Sequence, residues 1–283
     1  MRIDILRRVE RALTSVTLRY IEAHATLYPE IGARYAPVAG GFVCFTGIDS
    51  PLSKGTGMGL DIDGFLAHKS PGTVPVDEED IRTAEEFLQR RGARPRFDSS
   101  PARHESLKTS LENRGYTIDY LLNLYCLDLE ASREQPRNAG GQAAISVITL
   151  NQENPEHDHI WSLTVGRGFA NSSDSHPPYI DIYRTIFRAK GTTPFLALVR
   201  GVPAGAGALK VSGEVGILST ASTIPAFRKM GVQSALLEAR LHAAREMGCK
   251  IAAVQATPGG TSERNITRAG FSPVAVMADW AKE

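Results

Sequence analysis

VGILSTASTIPAFRKMGVQSALLEARLHAAREMG, residues 215–248, begins with apolar residues suited to a buried strand and breaks at Pro225. It then places Val232, Leu236, Ala239, Ala243 and Met247 at steps of three and four. That spacing predicts an amphipathic helix over 231–247. Gly248 supplies the left-handed residue that ends such a helix, and a second apolar run, Ile251 to Val254, follows Cys249. The order is strand, turn, helix, strand.

Chemistry enters at the turn. Arg228-Lys229-Met230-Gly231-Val232-Gln233-Ser234 lies across the first turn of the predicted helix, whose backbone N–H groups have no partner inside the helix. Free donors at the positive end of the helix dipole favour an anion. Gly231 removes the side chain that would hold a phosphate away from the backbone, and Arg228 and Lys229 add charge. Taken alone, Arg-x-x-Gly is more often an ordinary helix start with exposed basic residues; the flanking pattern is what turns it towards a pyrophosphate cradle.

At 283 residues the chain has room for one large domain or two of ordinary size. Its 32 basic and 31 acidic side chains nearly cancel, which argues against nucleic acid or an anionic membrane as the main partner. Cys44, Cys126 and Cys249 are odd in number, far apart and set among apolar neighbours, as reduced core thiols of a cytoplasmic protein would be. Charges at Arg2, Asp4, Arg7, Arg8, Glu10 and Arg11 leave no signal-peptide core, and no apolar run approaches membrane-spanning length.

From the N-terminus, residues 2–28 carry apolar positions compatible with one long amphipathic helix stopped before Pro29. Strands are expected at Val38 to Thr46 and Gly57 to Ile62. Gly55, Gly57 and Gly59 read as a turn or bulge rather than a nucleotide loop, because no helix start follows them. Asp77-Glu78-Glu79-Asp80 reads as the acidic start of a helix ending at Gly92. A short strand near Phe97, a helix over Glu105 to Asn113, and one or two strands over Tyr116 to Leu129 complete the first half. Helix, Arg114-Gly115-Tyr116 and strand then recur as helix, Ala269-Gly270-Phe271 and strand, about 155 residues on. The expected organisation is a domain over 1–130, a polar Pro- and Gly-containing linker over 131–142, and a second domain over 143–283. In that second domain, Glu156-His157-Asp158-His159 is a weak metal set, read as a solvated helix start, and no metal is expected. Residues 171–178 suit a mobile lid or any surface loop.

Strand, then Thr-Ile-Pro-x-x-Arg-x-x-Gly-Val-Gln-Ser-Ala-Leu, then a helix ending in Gly-Cys, resembles the acyl-CoA-binding segment of the GNAT superfamily of N-acyltransferases. Ser262 to Phe271 resembles the helix and Gly-Phe turn that close that fold. The resemblance is clear over residues 190–280 and weaker towards the N-terminus, where the chain is similar to bacterial tandem members. It implies an α/β chain of two GNAT-like domains in tandem, each a mixed, mostly antiparallel sheet flanked by helices. The first domain, 1–130, is then degenerate and lacks a CoA loop: Arg90-Arg91-Gly92 sits at a helix end, and an acidic run opens that helix. One CoA site per chain is expected.

The resemblance further implies that acetyl-CoA, or another short acyl-CoA, is the acyl donor and that a small-molecule amine is the acceptor. In the superfamily two central strands splay apart and expose backbone groups to the pantetheine and thioester. Ala221, Ser222 and Thr223 would occupy that strand end here. Arg228, Lys229, Met230, Gly231, Val232, Gln233 and Ser234 would form the phosphate turn, with Asn265 beside the cofactor, capping a helix or in a core contact. Two departures stand out. Gln233 replaces the usual small residue, and Ile266 falls where a tyrosine often protonates the leaving thiolate; isoleucine cannot donate a proton. A thiol of pKa about 8.5 already leaves fairly well. Glu214, Asp174 and His176 are candidate bases, but spacing places none of them near the thioester, so the catalytic residues stay unassigned. A non-catalytic CoA-binding or interaction module, and transfer to an alcohol or a protein amine, remain open. Oligomeric state is not legible in the sequence.

Overall fold

The computed structural model of the chain describes residues 3–61, 73–132, 145–170 and 179–282. In chain order its first elements are α1 (Ile3–Leu27), β1 (Arg34–Val38), β2 (Gly41–Phe45), β3 (Lys54–Thr56), α2 (Glu78–Gln89), β4 (Arg96–Ser99), α3 (Ser106–Asn113) and β5 (Thr117–Asp128). Then come β6 (Ile145–Thr149), α4 (Pro155–Ala170), α5 (Ile180–Arg188), β7 (Thr192–Val199), β8 (Val202–Ser212), β9 (Val215–Thr223), α6 (Val232–Glu246), β10 (Ile251–Ala256), α7 (Thr261–Arg268) and β11 (Ser272–Ala281). Two compact units interleave along the sequence. One comprises Met1–Tyr125, Ala256–Glu263 and Pro273–Glu283; the other comprises Cys126–Gln255 and Arg264–Ser272.

In the first unit the strands lie in the order β1-β2-β3-β4-β11-β5. The apolar run from Val38 to Thr46, expected as one strand, is instead half of a hairpin. Ala39 and Gly40 both take positive φ, 45° and 70°, the two-residue turn whose twist matches paired strands, and β1 pairs antiparallel with β2 across it. The strand expected at Gly57 to Ile62 falls earlier, at β3; Gly57 and Gly59 have positive φ and form a turn, with the Leu60 N–H donating to the Gly57 carbonyl. Helices α2 and α3 cover a core that contains Phe45, Ile81, Leu88, Phe97, Leu107, Leu111 and Trp280. The acidic run is a helix start: Asp77 accepts from the Asp80 N–H while Asp80 accepts from the Asp77 N–H, a reciprocal cap. Trp280 comes from β11, which pairs antiparallel with β4.

In the second unit β6, β7, β8 and β9 form an antiparallel meander, and β10 runs parallel to β9. Helices α4 and α5 pack on one face through Trp161, Val165 and Phe187 against Ala206 and Ala208. Alternation along β8 sends Gly205 and Gly207 to the other face, under α6. A Cβ at Gly205 would stand 2.7 Å from Val232 Cγ1, so glycine is what lets α6 lie this close to the sheet. All three cysteines are buried and free; burial raises the Cys44 thiol to about 11 and Cys126 to about 12. Most of the expected linker, and all of residues 171–178 with Asp174 and His176, lie outside the described residues.

Candidate functional site

The end of β9 feeds a 3-10 turn, Pro225–Phe227, and the chain then enters α6 through two left-handed residues, Lys229 at φ 63° and Gly231 at φ 92°. Gly231 is the residue that precedes the helix. The first helical bond runs from the Ala235 N–H to the Gly231 carbonyl, so the N–H groups of Val232, Gln233 and Ser234 have no acceptor within the helix. No acidic side chain occupies this first turn. Lys229 and Ser234 are exposed, Met230 and Gln233 half-buried, and the Val232 side chain is buried in the core, so only its backbone faces the turn's exterior.

Arg228 has a second task that its charge does not reveal. Its Nε donates to the Thr223 carbonyl (3.4 Å) and its Nη2 to the Gly168 carbonyl on α4 (3.1 Å). The guanidinium therefore braces the turn against both β9 and α4. Ser222 and Thr223 point inward: Ser222 is 4% exposed and its hydroxyl donates to the Val165 carbonyl. Whatever these residues offer a ligand comes from their backbone.

Beside them the sheet divides. The β9/β10 ladder pairs Val215 with Ile251, Gly216 with Ala252 and Ile217 with Ala253, and ends there, although β9 continues to Thr223 and β10 to Ala256. Beyond Ile217, β9 keeps only its β8 neighbour among the described residues, and that pairing is bulged. Ala208 faces Ser219 and Ala206 faces Ser222, which leaves Thr220 and Ala221 opposite the single residue Gly207. Thr220 sits at φ 53°, a strained conformation for a β-branched residue. A bulge redirects backbone groups out of the ladder, and here it does so at the mouth of the fork.

Two buried cations flank this region. Arg240 on α6 lies against Gly207, and burial alone lowers its pKa to about 10. Lys210 on β8, on the α4 and α5 face, is lowered to about 8 by the same cause. Neither has a carboxylate partner among the described residues. Both were invisible to sequence patterning, which reads Lys and Arg as exposed.

The remaining candidates scatter. Glu214 forms an exposed ion pair with Lys250 at 2.6 Å, and it lies just before β9, about six strand steps, on the order of 20 Å, from Thr220. That distance removes it as a base at the fork. The Asn265 side-chain oxygen accepts from Arg268 on its own helix at 3.0 Å. Ile266 is 4% exposed, a core residue. The Glu156 to His159 set is structural: His157 Nδ1 accepts from the Asn151 N–H, and buried Asp158 pairs with Arg188 and Arg184.

Residues 159–271 match the model of the acetyltransferase (GNAT) family. Over that stretch the chain is similar to the GNAT family. A GCN5-related N-acetyltransferase from Kribbella flavida is similar over 93% of this chain and 95% of its own, with a TM-score of 0.63 and 16% identity. A tandem GNAT protein from the clavulanic acid biosynthesis pathway is similar over 94% of each chain, with a TM-score of 0.60 and 14% identity. A GCN5-related N-acetyltransferase from Sphaerobacter thermophilus covers 89% of this chain and 76% of its own, at a TM-score of 0.56 and 15% identity. At these identities the likeness is one of fold, and that fold is two GNAT-like domains in tandem. No curated protein matches the sequence. Among the described residues no helix is long and apolar enough to cross a membrane.

Proposed function

We propose that the second unit binds acetyl-CoA, or another short acyl-CoA, and transfers the acyl group directly to an amine of a small molecule. The observation that carries this reading is the fork: β9 and β10 part after Ile217 and Ala253, with the glycine-led start of α6 following the same strand. An extended pantetheine fits such a gap because it can pair with the backbone that β9 leaves bare. The diphosphate fits the N–H groups of residues 232–234, where the helix dipole and exposed Lys229 favour negative charge. Residues 221–223 and 228–234 are thus the proposed donor site, with Arg228 as its brace.

In the reaction, the amine nitrogen bonds to the thioester carbon and pushes the carbonyl electrons onto oxygen. On collapse the C–S bond breaks, sulfur leaves with the electron pair, and the surplus proton of the nitrogen is released to solvent or to sulfur. The thiolate is of low enough basicity to leave without a general acid. The products are the amide and free CoA thiol.

Calorimetric titration with acetyl-CoA should give one site per chain. Thiol release, followed with a panel of amines, should then exceed the amine-free rate for at least one class. Absence of acetyl-CoA binding would end the proposal. Binding without thiol release across the panel would favour a CoA-binding module.

A further inference from the structure

Arg240 is 3% exposed. Its Nε donates to the Leu236 carbonyl one turn back on α6 (3.0 Å), and its Nη1 donates to the Ser219 carbonyl on β9 (3.4 Å). Removing a guanidinium from water with no carboxylate partner among the described residues is costly, so its place needs a reason. Gly207 makes the space: a Cβ there would stand 3.3 Å from both Cζ and Nη1 of Arg240. Gly207 is also the residue that faces the bulge, with Thr220 and Ala221 opposite it. The guanidinium therefore lies beneath the one point where β9 leaves regular pairing.

The stereochemistry of a peptide unit says what a donor there does. The Ser219 carbonyl and the Thr220 N–H belong to one planar trans peptide and point in opposite directions. Holding the carbonyl from the α6 side turns the Thr220 N–H away from α6. A charged donor on that carbonyl also polarises the peptide and strengthens its N–H as a donor.

We infer that Arg240 is a positioning residue for acyl transfer: through the Ser219 carbonyl it fixes the Ser219–Thr220 peptide so that the Thr220 N–H donates to the thioester carbonyl oxygen. This rests on the reading that the thioester lies along β9. As the amine nitrogen bonds to carbon, the negative charge on oxygen meets a pre-set donor backed by a buried cation, which is the arrangement that stabilises an oxyanion. The same field favours the departing thiolate.

The probe is a ketone analogue of acetyl-CoA, with methylene in place of sulfur and a 13C label at the carbonyl. Bound to the unaltered chain it should show a downfield carbonyl shift. In Arg240→Met that displacement should fall by at least half while affinity stays within about threefold. Thiol release from acetyl-CoA, with hydroxylamine as the amine, should show kcat reduced ten- to a hundredfold at little-changed KM. Arg240→Lys should recover part of kcat, and Gly207→Val, which evicts the guanidinium from the β8 side, should reproduce the loss. If Arg240→Met fails to fold, the Lys and Gly207→Val variants decide by the same readouts. A folded variant that keeps both the carbonyl shift and kcat overturns the inference alone. Failure of the unaltered chain to bind the analogue overturns the acyltransferase reading and this inference with it.

Discussion

Lys210→Met removes a buried ammonium and should make the protein more stable at neutral pH. Lys210 is 8% exposed and stands across from Thr192 and Ile217, with no carboxylate partner among the described residues. Burial alone lowers its pKa from 10.5 to about 8. A lysine whose folded pKa lies below its unfolded value weakens the fold most where both states are charged, below pH 8. The penalty lifts between pH 8 and 10.5, because over that window the unfolded chain binds more protons. A drop from 10.5 to about 8 corresponds to about 3 kcal/mol. Methionine has a similar length and no charge, so the variant should gain ~2–3 kcal/mol at pH 7. Its advantage should shrink by about 2 kcal/mol by pH 9.5 as the native lysine sheds its proton. Urea denaturation of both proteins at several pH values from 7 to 9.5 measures this directly. A gap that stays constant with pH, or a variant less stable at pH 7, refutes the reasoning.

Gly231→Ala forces a Cβ into φ 92°, so it should lose ~1–2 kcal/mol of stability or relax the turn. Acetyl-CoA affinity should fall about tenfold or more in calorimetry, and Gly231→Asn, which tolerates this region better, should lose less. Ile266→Tyr adds volume to a side chain 4% exposed and should cost ~1–3 kcal/mol in denaturant melts; a variant of unchanged stability would show that the core there yields to a ring. Asp77→Ala removes the reciprocal cap of α2 and should cost about 1 kcal/mol, again read by denaturation.

The sequence was most informative where one local rule acts alone. Steps of three and four located α6 to within a residue at each end, and Asp77 announced the start of α2, because a periodic apolar face and a cap are each written in consecutive residues. Helix α5 is not among the expected elements although Ile182, Tyr183, Ile186 and Phe187 carry helical spacing, because the segment is short and follows a polar stretch. The bulge had no signature at all. Thr220 is not a residue that favours positive φ, yet it takes one where the ladder is bulged opposite Gly207. Arg228 was legible as charge but not as a brace, since the Gly168 carbonyl it holds lies 60 residues away. Arg240 and Lys210 violate the polar-outside rule, and violations of that rule are found only when the partners, or their absence, can be seen.

Residues 273–283 should be indispensable to the first unit, although they follow the whole GNAT match in sequence. Asp279 is 2% exposed and is the hub of a buried charge cluster. It accepts from Lys54 at 2.6 Å, from Arg96 at 2.7 Å and from the Tyr120 hydroxyl at 3.0 Å. Next to it Trp280 is 4% exposed, sits in the same core as Phe97 and Leu111, and donates from its indole to Ser99 at 2.7 Å. Taking away the acid of a buried ion pair costs ~3–5 kcal/mol, and losing a core tryptophan ~3–5 kcal/mol. Together these rival the whole stability of an ordinary domain, about 5–15 kcal/mol. A chain ending at Phe271, and equally residues 1–130 expressed alone, should therefore lack a cooperative melt of the first unit and lose near-ultraviolet ellipticity from its aromatic core. Asp279→Asn in the full-length chain, which keeps the shape and removes the charge, should be destabilised but folded. A cooperatively folded 1–130 fragment would show that β11 is dispensable. On that expectation the stoichiometry of acetyl-CoA binding is to be measured on the intact protein.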